Sequence, residues 1–280
     1  VTDDIREWAQ QAVKNEKSIE TVTTANSLAV LYFHNRSGRE ELAPLQKGLS
    51  LMLITDLSIV KNLQVVERAR LQALTEEIGL GASGLVDLGT MPRVGKLLGA
   101  RRLVGGDIAA AEQERIRVQS RLLDVQSTAM IGQPASEGIL DELFRIEKDL
   151  LFDIVNLLKI EVTPELEAKL RKPCSTRTDA LFALFTGVDA SDKKDYKKAA
   201  ESYQKALNLD SNICVAGEAL SELQSLGLIS VRKRSGELLH SLRDNTSLTN
   251  QLTPKDEIKH ISTPNQVPSN TEINVIFPER

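Results

Sequence analysis

At 280 residues the chain is long enough for one large domain or two modest ones, each with a core of its own. Its 41% hydrophobic share is that of a globular protein, and a net charge of −4 gives no reason to expect nucleic acid or an anionic membrane as a partner. No apolar run reaches the roughly 18 to 20 residues of a helical membrane span.

Residues 1–25 are read as an N-terminal amphipathic helix. Asp3 or Asp4 can cap it, and Ile5, Trp8, Ala9, Ala12 and Val13 recur at i, i+3, i+4, i+7 and i+8. That stripe predicts packing on the chain's own domain rather than a free partner-binding arm. Residues 27–33 are nearly all apolar and run into the turn cluster His34-Asn35-Arg36-Ser37-Gly38, the pattern of a strand buried on both faces. A helix over 42–60 is expected from Leu45, Leu49, Met52, Leu53 and Leu57, then a short strand over 63–66. The next helix begins at Glu67 or Arg68 with Leu71, Leu74 and Ile78 in register, and a further short one covers 91–98 and is closed by Gly99.

Two strands are expected over 101–109 and 115–125, joined by the compact connection 110–114. The second places Ile116, Val118, Ser120, Leu122 and Asp124 on one side and Arg117, Gln119, Arg121, Leu123 and Val125 on the other. Neither side is wholly apolar, so the sheet is expected to be partly exposed there. A long helix is read from a Ser136 cap to Leu158, and Thr163-Pro164-Glu165 marks another helix start, with Thr as cap and Pro at the first helical position. The order makes an α/β domain with a mixed sheet over 26–170. Lys172-Pro173 breaks the composition, and 171–230 reads as purely helical from Asp179 onward. Residues 231–280 form a polar tail, with a short helix around 238–242 and an extended or disordered Ser/Thr/Asn/Pro-rich stretch over 245–271. The tail ends in a strand-like segment over 272–277, suited to adding to a sheet edge of this or another copy.

Chemistry-bearing motifs are sparse. Gly79-Leu80-Gly81-Ala82-Ser83-Gly84 has the G-x-G-x-x-G spacing of a dinucleotide loop, which requires a preceding strand, a following helix and an acid about 20 residues on. Here a helix precedes it and position 99 is glycine, so Gly79 is read as a left-handed helix cap. His34, His240 and His260 stand apart, without metal-ligand spacing. The pairs Asp3-Asp4, Glu76-Glu77 and Asp141-Glu142 are neighbours that diverge by about 100° on a helix and make solvated faces rather than acid–base dyads. Ser83 lacks a G-x-S-x-G setting, and Arg232-Lys233-Arg234 is a short solvated basic run. The expectation is no enzyme, no cofactor and no metal. Cys174 and Cys214 are too few for a stapled scaffold or a zinc site. A bridge between them stays open in an oxidising compartment, but the reading goes against it because nothing in the sequence sets their separation.

Residues 28–108 carry a resemblance. Leu28-Ala29-Val30-Leu31-Tyr32-Phe33-His34-Asn35 is followed by Gly48-Leu49-Ser50 with Met52-Leu53-Ile54, and by Val65-Val66-Glu67-Arg68-Ala69. The glycine loop, Gly95-Lys96-Leu97-Leu98-Gly99-Ala100 and Leu103-Val104-Gly105-Gly106-Asp107-Ile108 complete the series. This succession resembles the curli secretion-channel family, the curli production assembly/transport components, with Glu67, Arg68, Gly79, Gly81, Gly84 and Gly99 as its signature. The resemblance implies a periplasm-facing, non-enzymatic α/β domain that often assembles into rings at the outer membrane. The channel-forming members have long amphipathic hairpins that build a barrel of roughly 9 to 11 residues per membrane-crossing strand. The short connections 110–114 and 126–135 depart from that, so no pore is expected. The channel's lipid-bearing N-terminal Cys is not in this chain, which opens Val1-Thr2-Asp3-Asp4 and reads as processed or trimmed.

Residues 195–210 resemble the second helix of a tetratricopeptide repeat, with Ala199 and Ala206 allowing close approach and Tyr196 and Tyr203 filling the gap. Gly187 stands where the first helix needs a small residue, and Ser211 replaces the usual terminal Pro. A lone repeat cannot bury its faces, which implies docking on the α/β domain, on the tail or on another subunit. The combined expectation is a mixed-sheet curli-channel-like periplasmic domain, an all-α tetratricopeptide-like segment and a polar tail. Such a chain would be a homo-oligomeric envelope scaffold with protein partners, without nucleic acid, and membrane-associated only through a lipid anchor outside the chain. A regulatory lipoprotein-like module, such as an activator of an envelope enzyme, is the alternative, and a nucleotide-handling enzyme ranks last.

Overall fold

The structure, a computed structural model, describes residues 1–19 and 24–229. The expected tail elements, His240, His260 and Arg232-Lys233-Arg234 lie outside the described residues. The chain divides into two units, Val1–Leu220 and Ser221–Arg280.

The first unit is built on a seven-stranded sheet in the order β3-β1-β4-β5-β6, with β2 paired to β4 and β7 to β5. The parallel strands are β1 (Ser27–Val30), β2 (His34–Asn35), β3 (Gln64–Val65) and β4 (Arg102–Ala110); β5 (Ile116–Asp124), β6 (Met130–Gly132) and β7 (Ala135–Gly138) pair antiparallel. From β1 the chain steps through α2 (Leu45–Leu57) to β3 on one side. It then returns through α3 (Arg68–Ile78), the short α4 (Ala82–Leu85) and α5 (Met91–Leu98) to β4 on the other side. Right-handed crossovers that step in opposite directions put their helices on opposite faces of the sheet.

One face accordingly packs Ala29, Leu31, Leu103, Leu123 and Val125 against Leu71 and Leu74 of α3 and Met91, Val94 and Leu97 of α5. Helix α1 (Asp3–Lys14) lies on α3 and brings Trp8, Ala12 and Val13 to the same cluster. Strand residues of opposite parity, such as Leu28, Val30, Val104 and Leu122, are fully buried on the other face, where α2 and α6 (Leu143–Leu157) contact the sheet and each other.

Several boundaries differ from the sequence expectation. The run 27–33 is buried throughout, but its ladder ends at Val30; Phe33 N–H then donates to Gln46 O at 3.1 Å, and β2 resumes pairing with β4. Helix α2 starts at Leu45 because Pro44 occupies its N-cap, after a 3-10 turn at Glu40–Leu42. On one side of β5, Ile116, Val118, Ser120 and Leu122 are all at 0% exposure, and Asp124 at the strand end is the residue of that side left partly exposed. Across the strand Arg117, Gln119 and Arg121 remain at least partly exposed.

The largest correction falls on 126–142. Ser136 is no helix cap but lies in β7 opposite Val118, where its hydroxyl donates to Asp149 at 2.8 Å. The buried positions of β7 are Ser136 and Gly138, so the strand carries no apolar alternation to reveal it. A Cβ at Gly138 would stand 2.4 Å from the Arg145 guanidinium, the half-exposed end of a flexible side chain that can move aside.

Beyond the sheet, Thr163 does cap α7 (Pro164–Leu170), its hydroxyl accepting from Leu166 N–H at 3.2 Å. Helices α8 (Thr178–Asp192) and α9 (Tyr196–Leu209) pack together, and the Asp195 carboxylate caps α9 by accepting from Lys198 N–H. Cys174 and Cys214 form a disulfide with Cα atoms 4.8 Å apart, contrary to the expectation from sequence. The helix hairpin between them sets the separation that the linear sequence left undefined. Helix α10 (Ala216–Ser225) spans the division between the units. The described part of the second unit ends in a turn with Gly227 at φ 67°, where Leu228 N–H donates to Leu223 O.

Candidate functional site: a polar junction at the carboxyl ends of β1 and β3

In open α/β sheets, binding sites gather beyond the carboxyl ends of the parallel strands. Tyr32 follows β1, and Arg68 opens α3 directly after β3. The Tyr32 hydroxyl donates to Gln72 Oε1 at 2.8 Å and accepts from Arg68 Nη1 at 3.3 Å, and Gln72 Nε2 donates to Glu76 at 2.8 Å. Arg68 makes a two-pronged contact with Asp192 at the end of α8, 2.9 and 3.0 Å. Lys47 of α2 donates to the same carboxylate at 2.9 Å, approaches Asp189 at 3.1 Å and sits 5.6 Å from the Tyr32 ring centroid. Lys193 covers Asp189 at 2.6 Å. Nearby, Phe185 of α8 packs on α2 at Gly48, where a Cβ would meet its ring at 2.2 Å.

The electrostatics of the junction favour holding over proton transfer. Burial pushes the Tyr32 phenol well above its usual range. Burial opposes charge on Arg68, but Tyr32 and Asp192 outweigh it and hold the guanidinium above its ordinary value. Burial raises the Asp189 carboxyl, and Lys193 and Lys47 more than reverse that. None of these groups is poised to exchange a proton near neutral pH. A cavity of about 290 Å³ opens beside them, lined by Gln46, Gln72, Thr75, Gly81 and Ala82 among others. It shares Ala43, Gln46 and Ala82 with an open trough of about 630 Å³ that reaches His34, Arg39 and Ser83. Amide and hydroxyl groups on such a floor can pair with a polar segment of a partner.

The signature residues of the sequence are scattered about this junction. Arg68 is at its centre and Gly81 on the cavity wall. Glu67 is the exposed N-cap of α3, Gly79 closes α3 at φ 65° and Gly99 closes α5 at φ 68°. Gly84 lies within the four-residue α4, its carbonyl accepting from the Thr90 hydroxyl. In the helical pair, a Cβ on Gly187 would lie 2.5 Å from the Tyr203 ring; Ala199 and Ala206 are fully buried and Tyr196 is half-buried. Lys47, Gln72, Asp189 and Asp192 were not found from the sequence. They come from three helices, α2, α3 and α8, and a single Asp 124 positions after Arg68 carries no local signal.

Two other polar groupings stand apart. Asp107 of β4 is flanked by His34 at 3.6 Å, Arg36 at 3.9 Å and Arg121. Between α2 and α6, Lys148 bonds Asp56 and approaches Glu147 at 3.2 Å, while Glu147 Oε1 has no hydrogen-bond partner. Burial, and then the Asp56 carboxylate, pushes Glu147 up to about 8. Among the described residues no group of three or more His, Cys, Asp or Glu could hold a metal, and no helix is long and apolar enough to cross a membrane.

The family model for CsgG, the curli production assembly/transport component, matches residues 9–120. That span contains the second half of α1, the parallel strands, the glycine loop and Arg68, and stops before the helical pair that resembles a tetratricopeptide repeat. A protein named putative adenylate cyclase 3, from Rhizobium meliloti, is 28% identical over 140 residues, 49% of this chain and 22% of that protein. Three solved structures are similar at low level. The LpoB C-terminal domain from Salmonella enterica has TM-score 0.32 and 16% identity, over 49% of this chain and 98% of that one. Lipoprotein GNA1162 from Neisseria meningitidis has TM-score 0.35 and 14% identity, over 49% and 99%. TolB from Acinetobacter baumannii has TM-score 0.33 and 16% identity, over 48% and 28%. At this level of similarity nothing is carried from these structures to this chain.

Proposed function

We propose that this protein is a non-enzymatic assembly and binding component of the bacterial cell envelope, acting on the periplasmic side of the outer membrane as a homo-oligomer with protein partners. The CsgG match over residues 9–120 is the observation that carries this reading. The Cys174–Cys214 disulfide supports it, since such bonds persist in oxidising compartments. The connections β4–β5 and β5–β6 span only 111–115 and 125–129, which supports a soluble scaffold over a channel-forming role for the described residues. In this reading α8 and α9 act as a tetratricopeptide-like unit, Gly187 receiving Tyr203, and the cavity beside Tyr32 and Lys47 with the trough it joins receives a partner segment.

The test is cell fractionation of the tagged full-length protein with multi-angle light scattering of the purified chain. An envelope location with a discrete multimer is expected. A cytosolic location overturns the reading, and a strict monomer in the envelope favours a regulatory lipoprotein-like module instead. The relative named as a cyclase makes adenine nucleotides worth titrating, and no saturable heat of binding is expected. Gly79 caps a helix here, and α4, which follows Gly81, has only four residues, so the loop lacks the long helix that a pyrophosphate site uses.

A further inference from the structure

The two ends of the α8–α9 pair are held by different chemistry. At the turn end, Arg68 and Lys47 bind Asp192, and Phe185 covers Gly48, so α8 is fixed to the α/β core. Helix α9 has its main packing surface on α8, through Tyr203 against Gly187 with Ala199 and Ala206 buried between them. At the far end, the segment after α9 is tied back to the segment before α8. The ties are the Cys174–Cys214 bond, Cys214 N–H donating to Cys174 O at 3.1 Å and Ser175 donating to Asp210 at 2.5 Å. Both cysteines are half-buried, within reach of a thiolate at the surface.

We propose that Cys174–Cys214 is a thiol–disulfide exchange site at which a dithiol reductant releases α9 while α8 stays on the core. One reductant thiolate attacks a cysteine Sγ, the S–S bond breaks, and the other cysteine leaves as a thiolate that takes up a proton. The second reductant thiol then attacks the mixed disulfide and frees the remaining cysteine. Two electrons and two protons pass to the protein, and the reductant ends as a disulfide. The bond closes a loop over a sequence separation of 40, so its loss returns chain freedom to the opened state. The two far-end hydrogen bonds, the α8–α9 contact and the electrostatic interaction of Tyr203 with Arg68 then oppose opening. The Arg68–Asp192 contact lies outside the released element and keeps α8 in place. Opening exposes the Gly187 side of α8 as a surface absent in the oxidised form.

Hydrogen exchange read by mass spectrometry on the full chain tests this, before and after dithiothreitol and again after reoxidation. The expected result is exchange about tenfold faster or more across 196–209 on reduction, with 45–57, 116–124 and 178–192 unchanged and the effect reversed on reoxidation. The C174S/C214S double variant should show the fast pattern from the start and ignore dithiothreitol. Three results overturn the proposal: a bond that resists reduction in the native protein, unchanged exchange in α9 after reduction is verified by thiol counting, or α8 and the core loosening together with α9.

Discussion

Arg68 and Glu147 illustrate opposite fates of a charged group taken out of water. Arg68 is matched by Asp192 with two hydrogen bonds, and the Asp192 side chain is only 3% exposed. Removing one partner of a buried pair strands the other, so Asp192→Ala should cost about 3 kcal/mol in urea unfolding. Arg68→Ala should cost less, because Lys47 remains on the carboxylate. A double variant whose cost equals the sum of the singles would show that the two do not interact. Glu147 has a lysine, a second carboxylate and an unpaired oxygen. Its folded-state pKa lies above the unfolded value, so its contribution to stability is fully present below about pH 4.5 and is lost as pH rises through about 8. Burial likewise raises the Asp56 carboxyl although Lys148 pulls it down, and this net rise adds to the same loss of stability with pH. Glu147→Gln should flatten this fall and stabilise the protein at pH 8 by roughly a few kcal/mol, at about 1.4 kcal/mol per unit. Parallel slopes for the two proteins between pH 4.5 and 8 would refute the assignment.

Between elements, closeness of approach decides what is tolerated. Helix α8 reaches α2 only because position 48 lacks a side chain, the ring of Phe185 occupying the space of a Cβ. Gly48→Ala improves helix propensity by about 1 kcal/mol yet should destabilise by about 1 to 3 kcal/mol overall, because the overpacking is the larger effect. A Phe185→Leu change in the same protein should recover part of that loss in thermal unfolding. No recovery would place the cost elsewhere. The same logic explains the missed strand β7. Its inner positions are Ser136 and Gly138, small enough for α6 to lie close, and small residues carry no hydrophobic period. The cap at Thr163 was legible because it needs only neighbours along the chain.

Across residues 1–220, the contacts of α8 with α2 and Arg68 join the helical pair to the α/β core. The unit is therefore expected to unfold in one step. Trp8, the one tryptophan of the chain, sits on the α1–α3–α5 face and reports that side by fluorescence, while far-ultraviolet dichroism reports all helices. Coincident urea transitions from the two probes are expected. A fluorescence transition clearly separated from the dichroism would mean that the α/β core and the helical pair melt apart.

Local pattern determined much of this architecture. The apolar run 27–33, the stripe in α1, the registers of α3 and α5, the β4–β5 hairpin and the glycine that closes α3 all depend on residues within a few positions of one another. Their physics is carried by period and backbone propensity, which a linear sequence displays directly. The junction of Tyr32, Lys47, Arg68 and Asp192, the buried trio around Glu147 and the Cys174–Cys214 bond were decided only by the tertiary structure. Each depends on separation and burial between distant elements, and those distances do not exist until the helices are laid on the sheet.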